Sequence, residues 1–436
     1  DRGRCEAAPP RRGGRPSADV ARPRPRSLEP SPLTQSTPPP SAVDWRRNLA
    51  ALWFAEFTAI FGFSFAFPFL SIFISQDLGV HPGRDLDLWA AASASASGLA
   101  MAIASPIWGV LGDRYGRKPM LIRSMLGGGI TVGLIFLAQT PLQLVILRLA
   151  QGATSGTVAA ATALVAAETP RHRVGWALGV VTSAVALGGA IGPVVGGLAG
   201  AVFGLRLVFL GGGILLLIST IPVFLIVKES ERRIREGPRP GTLAIIRQRP
   251  GTVRSLAVLI GAQGLVSTVQ SASQILIVLK FIEIAGAAAS AAAGFAFSAS
   301  GITSSVAAVG YTSVTRRAGY VRTTALASLL LAATIGLLIL APNAVLVVAV
   351  FGIVGLLNGT VIPATASMIG LETPPEAQST VFGLNASSVA LGFFFGPLIA
   401  GGVAATAGVS TALGVSAVLA VGLAALLAIG AREPTR

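Results

Sequence analysis

The chain has 436 residues, of which 53% are apolar and only 12% charged, with a net charge of +15. Soluble domains carry about 25% charged residues, so this composition excludes an ordinary soluble protein. The basic residues lie between apolar runs and not along one solvated face, which argues against a nucleic-acid partner. A single cysteine, Cys5, excludes an internal disulfide, and two histidines, His81 and His172, leave too few ligands for a His/Cys metal cage.

Residues 1–44 are rich in Pro, Arg, Ser and Gly and nearly lack large apolar side chains, a composition that predicts a disordered tail. Trp45, Arg46 and Arg47 follow as an aromatic and basic anchor at a membrane boundary. From there twelve apolar runs recur at 49–75, 88–112, 119–139, 141–166, 174–202, 206–227, 253–279, 288–312, 323–341, 343–370, 379–406 and 409–430. Each is about the length that crosses a bilayer as helix. The expected fold is therefore an all-α integral membrane protein with twelve transmembrane helices. A polar linker at 228–252 separates six spans (45–227) from six (253–430), and 431–436 form a short tail.

Placing both termini in the cytoplasm puts seventeen Lys and Arg residues in cytoplasmic loops, at 114, 117, 118, 123, 171, 173, 228, 232, 233, 235, 239, 247, 249, 254, 316, 317 and 322. Only Arg84, Arg206 and Lys280 fall on the other side. The asymmetry of basic residues sets the expected orientation.

The chain also contains one stretch twice. Glu168 to Gly197 reads ETPRHRVGWALGVVTSAVALGGAIGPVVGG, and a shift of 204 brings it onto Glu372 to Gly401, ETPPEAQSTVFGLNASSVALGFFFGPLIAG, with twelve of thirty positions identical. Upstream, GTVAAATA from Gly156 faces GTVIPATA from Gly359, one residue out of that register. A period this long is a duplicated half and not a solenoid repeat.

Four groups of residues carry candidate chemistry. The loop between spans 2 and 3 reads Gly109-Val-Leu-Gly-Asp113-Arg114-Tyr-Gly116-Arg117-Lys118, with glycines that permit a tight turn. Span 4 holds Arg148-Leu-Ala-Gln-Gly152, and an arginine inside an apolar run faces a partner or a water-filled cavity, or else snorkels to the outer surface. Span 1 holds Glu56, a candidate for proton exchange and for pairing with Arg148; alternatively it lies close enough to the cytoplasmic end to meet water or Arg46. Span 5 contains Gly188, Gly192, Pro193, Gly196 and Gly197 as GxxxGPxxGG, a flat face for close helix approach with a bend at the proline.

The loop resembles the signature GxxxDRxGRK loop of the major facilitator superfamily, and Arg148 with Gly152 resembles that family's second motif. The span 5 string resembles the motif of its exporting antiporters. Within the superfamily the chain is similar to twelve-span drug:proton antiporters of the bacterial multidrug-resistance type. The resemblance covers 45–430 and implies two pseudo-symmetric six-helix bundles with a substrate site between them. It further implies that Asp113 meets the start of span 11 as a conformational latch, with Gly109, Arg114, Gly116, Arg117 and Lys118, and that Arg148 assists proton coupling. The equivalent loop of the second half, TSVTRRAGYVR, has no aspartate, so a latch would be asymmetric.

Gln263, Ser267, Gln270 and Gln274 fall on one face of span 7, and Asn358 and Asn385 add amides in spans 10 and 11. These groups line a cavity or join helices by hydrogen bonds. Phe61, Phe63, Phe65, Phe67 and Phe69 cannot all share one helix face. Few fixed charges with aromatics and amides suit apolar or weakly cationic substrates. The expected activity is drug export by proton antiport, with a carrier of one metabolite (amino acid, sugar or siderophore) as the alternative. No enzymatic constellation is visible. The expected partners are a small-molecule substrate, protons and the lipid bilayer of the bacterial cytoplasmic membrane, with a functional monomer and no cofactor beyond the proton gradient.

Overall fold

The structure, a computed structural model, describes residues 44–230, 250–373 and 378–433, with the side chains of 113, 171, 250–252, 287 and 378–380 also outside the description. The expected disordered tail, apart from Asp44, therefore lies outside the described residues, as do 231–249 of the expected linker and the last three residues of the expected C-terminal tail.

The described residues contain helices and no strands. Twelve helical segments are long and apolar enough to cross a membrane: span 1 (Trp45–Gln76), span 2 (Arg84–Gly112), span 3 (Arg117–Leu137), span 4 (Pro141–Glu168), span 5 (Val174–Phe203), span 6 (Leu205–Leu225), span 7 (Val253–Ala285), span 8 (Ala289–Ala318), span 9 (Tyr320–Ile339), span 10 (Ala344–Glu372), span 11 (Val381–Ala407) and span 12 (Val409–Gly430). A helix satisfies its own backbone groups, which lipid cannot do, so apolar runs of this length have no other open solution in a bilayer. Asp44 starts the first helix by accepting the backbone N–H groups of Arg46 (3.0 Å) and Arg47 (3.4 Å).

The same devices position both halves. Spans 2 and 3 meet at Gly116 (φ +98°), and spans 8 and 9 meet at Gly319 (φ +88°), conformations that a side chain resists. Each turn exposes the N-terminus of the following helix, and a carboxylate arriving from elsewhere in the chain satisfies it. Glu229, just after span 6, accepts from the N–H groups of Arg117 and Lys118, both at 2.9 Å. Glu433, just after span 12, accepts from Tyr320 and Val321, also at 2.9 Å. An anion suits the partial positive charge at a helix N-terminus.

Small residues set the helix spacing. A Cβ on Gly188 or Gly192 would lie 2.9 Å from backbone atoms of Phe57 or Phe61, so span 5 rests directly on the main chain of span 1. Between the halves, span 5 meets span 8 and span 2 meets span 11. A Cβ on Gly197 would lie 2.6 Å from the Ser290 carbonyl, and one on Gly401 would lie 2.6 Å from the Asp87 carbonyl. Those contacts sit at the end away from the chain termini. Toward the end that carries the termini, Gly109, Gly175, Gly179 and Gly383, on the same helix faces of spans 2, 5 and 11, would meet nothing within 4 Å. The seam is closed at one end and loose at the other.

Candidate functional site: the central cavity

Between the halves lies a cavity of about 560 Å³. Its first-half wall includes Phe63, Phe67, Ser97, Arg148 and Gln151, and its second-half wall includes Gln270, Gln274, Ser300, Phe351 and Asn358. Two irregular stretches of helix open onto it. Span 1 tightens to a 3-10 turn at Phe67–Phe69 around Pro68, where the missing N–H interrupts the helical ladder. Span 4 breaks outright: one helix ends at Thr154, Gly156 adopts φ +119°, and a second helix runs from Thr157 to Glu168. Phe67, Pro68, Ser155, Gly156 and Thr157 all line the cavity.

Neighbouring spans hold the break in span 4 open. The Trp108 indole N–H donates to the Ala153 carbonyl at 2.6 Å. The Arg123 guanidinium donates to the carbonyls of Thr154 (3.2 Å) and Ser155 (3.0 Å) and lies 3.7 Å above the Trp108 ring. The carbonyls left over at the end of the first helix thus find donors, and a cation there suits the helix dipole. The sequence alone predicts span 4 as one uninterrupted run; the structure breaks it, because Trp108 and Arg123 on spans 2 and 3 supply donors that span 4 itself does not announce.

Arg148 is 5% exposed and faces this cavity, which resolves the choice between a partnered and a snorkelling arginine. Its Nε donates to the Ser93 carbonyl at 3.2 Å, Nη2 donates to the Ser97 hydroxyl at 2.6 Å, and Nη1 donates to Gln151 Oε1. The guanidinium also lies 3.9 Å above the Phe67 ring. None of these partners is Glu56. Glu56 is fully buried, so it meets neither water nor the exposed Arg46, and neither of its oxygens has a hydrogen-bond partner. It is not among the residues that line the cavity.

Gln270, Gln274 and Asn358 line the cavity, whereas Gln263 and Asn385 lie off it. The Gln263 and Asn385 side-chain oxygens are buried without partners, and so is that of Asn358. The phenylalanines of span 1 divide as helix geometry requires. Trp53, Phe57, Phe61 and Phe65 stack in turn at 5.5, 6.0 and 5.9 Å on one face. Phe63 and Phe67 stack at 4.0 Å on the cavity wall, and Phe69 is buried.

In the loop between spans 2 and 3, Arg117 donates from its side chain to the Ala163 carbonyl and Lys118 donates to the Phe224 carbonyl at 3.1 Å. These contacts join span 3 to spans 4 and 6. Arg114 is exposed, with its guanidinium 5.4 Å from the Tyr115 ring. The Asp113 side chain lies outside the description, as do residues 374–377 and the side chains of 378–380 just before span 11, the region it was expected to meet. In span 5, Gly196 packs on the backbone of Phe65, while Pro193 lines the cavity and its carbonyl faces Gly294 of span 8. The glycine string thus serves span 1 on one side and the other half on the next.

Twelve helices in two halves around a polar and aromatic cavity have the architecture expected of secondary transporters. The sequence model of the Major Facilitator Superfamily matches residues 52–279 and again 259–436, and the chain belongs to that superfamily. Among similar proteins, multidrug resistance protein MdtG of Dickeya zeae is 40% identical over 218 residues, covering 50% of this chain and 53% of that protein. MdtG of Escherichia fergusonii is 41% identical over 188 residues, covering 43% of this chain and 46% of its own. The matched segment thus spans about half the length of these relatives. In fold, the nucleoside transporter NupG superposes with a TM-score of 0.68 at 14% identity, over 87% of this chain and 98% of that one. A bacterial homolog of the human lysosomal transporter Spinster superposes with a TM-score of 0.69 at 15% identity, over 87% and 95%.

Proposed function

We propose that the chain exports bulky apolar, drug-like molecules from the bacterial cytoplasm by proton antiport, rocking its two halves about the central cavity. The observation that carries this reading is the uneven seam. Gly197 and Gly401 of spans 5 and 11 press on the opposite half away from the termini, while four glycines on the same faces nearer the termini meet nothing, as expected of a carrier caught open to one side. With the termini in the cytoplasm, as the basic loops favour, that open side faces the cell interior. The MdtG relatives, named as multidrug resistance proteins, support drugs as the cargo. The carrier works as a monomer in the cytoplasmic membrane with the proton gradient as its only energy source, and no enzymatic role is proposed.

Glu56 is the proton-carrying group of this scheme. A fully buried carboxyl without any hydrogen-bond partner is costly as an anion and tolerable as a neutral acid, so its charge state is tied to the access of water. Arg148, at the cavity wall, assists proton coupling, as the family resemblance implies. Asp113 with its loop latches the opposite state at span 11.

Uptake of an apolar fluorescent dye into everted vesicles tests the scheme. Wild type accumulates dye only with a proton gradient. Glu56→Gln loses gradient-driven accumulation and keeps dye exchange down its own gradient, and Asp113→Asn slows both. Accumulation by Glu56→Gln equal to wild type would remove Glu56 from the scheme. No dye movement by well-folded wild type would favour a carrier of one metabolite.

A further inference from the structure

From the break in span 4 we infer a docking point in the cavity for an anionic group, so that among exported molecules those pairing an apolar body with an acidic head bind best. This inference deepens the export reading and rests on it for the direction of movement, though not for binding.

Three observations lie along the span 4 wall of this cavity. Arg148 is the only residue of formal charge on the described cavity lining, which contains no carboxylate. Each guanidinium nitrogen has one acceptor, Ser93, Gln151 or Ser97, and the two terminal nitrogens each carry a second N–H. Arg148 thus keeps its charge uncompensated in an environment where a lone cation is costly. A ligand carrying the opposite charge would relieve that cost.

Gln151 is the second observation. It is 5% exposed, lines the cavity, and turns its Oε1 to Arg148 while its Nε2 has no acceptor. An amide donor left unsatisfied at 5% exposure is unfavourable unless something with a lone pair arrives. The third is the helix that begins at Thr157. It runs 12 residues, starts from Gly156 without any side-chain cap, and its first residue, Thr157, lines the same cavity. Its first backbone donor to find a helical acceptor is the N–H of Ala160, which bonds the Gly156 carbonyl. The preceding N–H groups are open to an anion.

The chain maintains this geometry deliberately. Trp108 and Arg123 engage the carbonyls of Ala153, Thr154 and Ser155 before the break, which leaves backbone donors facing the cavity beyond it. Phe63, Phe67 and Phe351 supply apolar surface in the same cavity for the rest of the molecule. A cationic head finds no carboxylate there to pair with.

The test uses two dyes with one xanthene body, anionic fluorescein and a cationic rhodamine, bound to the purified full chain in neutral detergent and followed by fluorescence anisotropy. Wild type binds fluorescein about ten-fold more tightly than rhodamine, ~1.4 kcal/mol. Gln151→Glu places a carboxylate against Arg148, fills the docking point from within and removes or reverses the preference, while Gln151→Leu weakens fluorescein alone. Gly422→Ala, on the open surface of span 12, changes neither dye. Equal binding of the two dyes by wild type overturns the inference, as does a preference that Gln151→Glu leaves intact. Dye transport in vesicles is read separately. Binding that follows this pattern without any transport would sink the export reading and leave the anion site standing.

Discussion

In the first half Gly156 starts a new helix in mid-span at φ +119°, whereas its counterpart Gly359, 203 positions on, lies inside the unbroken helix of span 10. The same shift pairs Arg148 with Phe351 and Gln151 with Val354, and all four line the cavity. Yet it also pairs Gly152 with Gly355 and Ser97 with Ser300, and in each half that glycine packs on the backbone of that serine. Gly116 and Gly319 turn alike, and so do Gly204 and Gly408. The two halves agree in their turns, caps and helix spacing and differ in the groups presented to the cavity. Duplicated scaffolding therefore surrounds a site whose charge and irregular backbone come from one half, with the second contributing amides, hydroxyls and apolar surface.

The largest effects should come where the halves agree. A Cβ on Gly152 would lie 2.8 Å from the Cα of Ser97, and one on Gly355 would lie 2.5 Å from the Cα of Ser300. Backbone cannot yield as a side-chain tip does, so Gly152→Val and Gly355→Val should each cost ~3 kcal/mol or more and leave little monodisperse protein after purification. Gly179→Val, with nothing within 4 Å, should purify as wild type does. Tolerance at either of the first two positions would show that the helix pairs 2–4 and 8–10 are not equivalent.

A smaller and unequal effect is expected at Gly156 and Gly359. Alanine at Gly156 meets open space, its nearest neighbour being Arg123 Nη2 at 3.9 Å, so only the left-handed backbone resists it, at about 1–2 kcal/mol. Alanine at Gly359 has a relaxed helical backbone but would lie 2.6 Å from the Cα of Ser304. Thermal unfolding in detergent should therefore rank Gly359→Ala below Gly156→Ala. The reverse order would mean that the break in span 4 carries more strain than its contacts suggest.

These contrasts also explain how much was readable beforehand. Twelve spans and the duplication follow from apolar run length and from the ETP and GP strings, which depend on neither neighbours nor depth. The cavity-facing roles of Gln270, Gln274 and Asn358 match a polar helix face, but Gln263 has the same spacing and lies off the cavity, because periodicity gives a direction and not a depth. The expected pairing of Glu56 with Arg148 matched two rare charges on chemistry alone. Arg148 instead uses Ser93 and Ser97, one helical turn apart on span 2, residues too common to stand out. The carboxylate caps do have a signature in the sequence. Glu229 and Glu433 are separated by the same 204 positions as the repeated motif, each just past the last span of its half.

Those caps allow the finest comparison. Both glutamates accept two backbone N–H groups at the same distance, so geometry alone predicts equal contributions. Exposure does not: Glu229 is partly buried and Glu433 is exposed. When Glu433 is truncated, water can take over the freed N–H groups, whereas at Glu229 it has less access. Glu229→Ala should therefore lower stability by about 1 kcal/mol and Glu433→Ala by only a few tenths. Glu229→Gln, which keeps one acceptor oxygen but loses the charge that favours the helix N-terminus, should fall between wild type and Glu229→Ala. Thermal unfolding of the purified variants at fixed detergent and salt measures all three. Equal losses for Glu229→Ala and Glu433→Ala would mean that the two ends of the repeat match in energy as well as in geometry, and that burial at this depth does not set the strength of a cap.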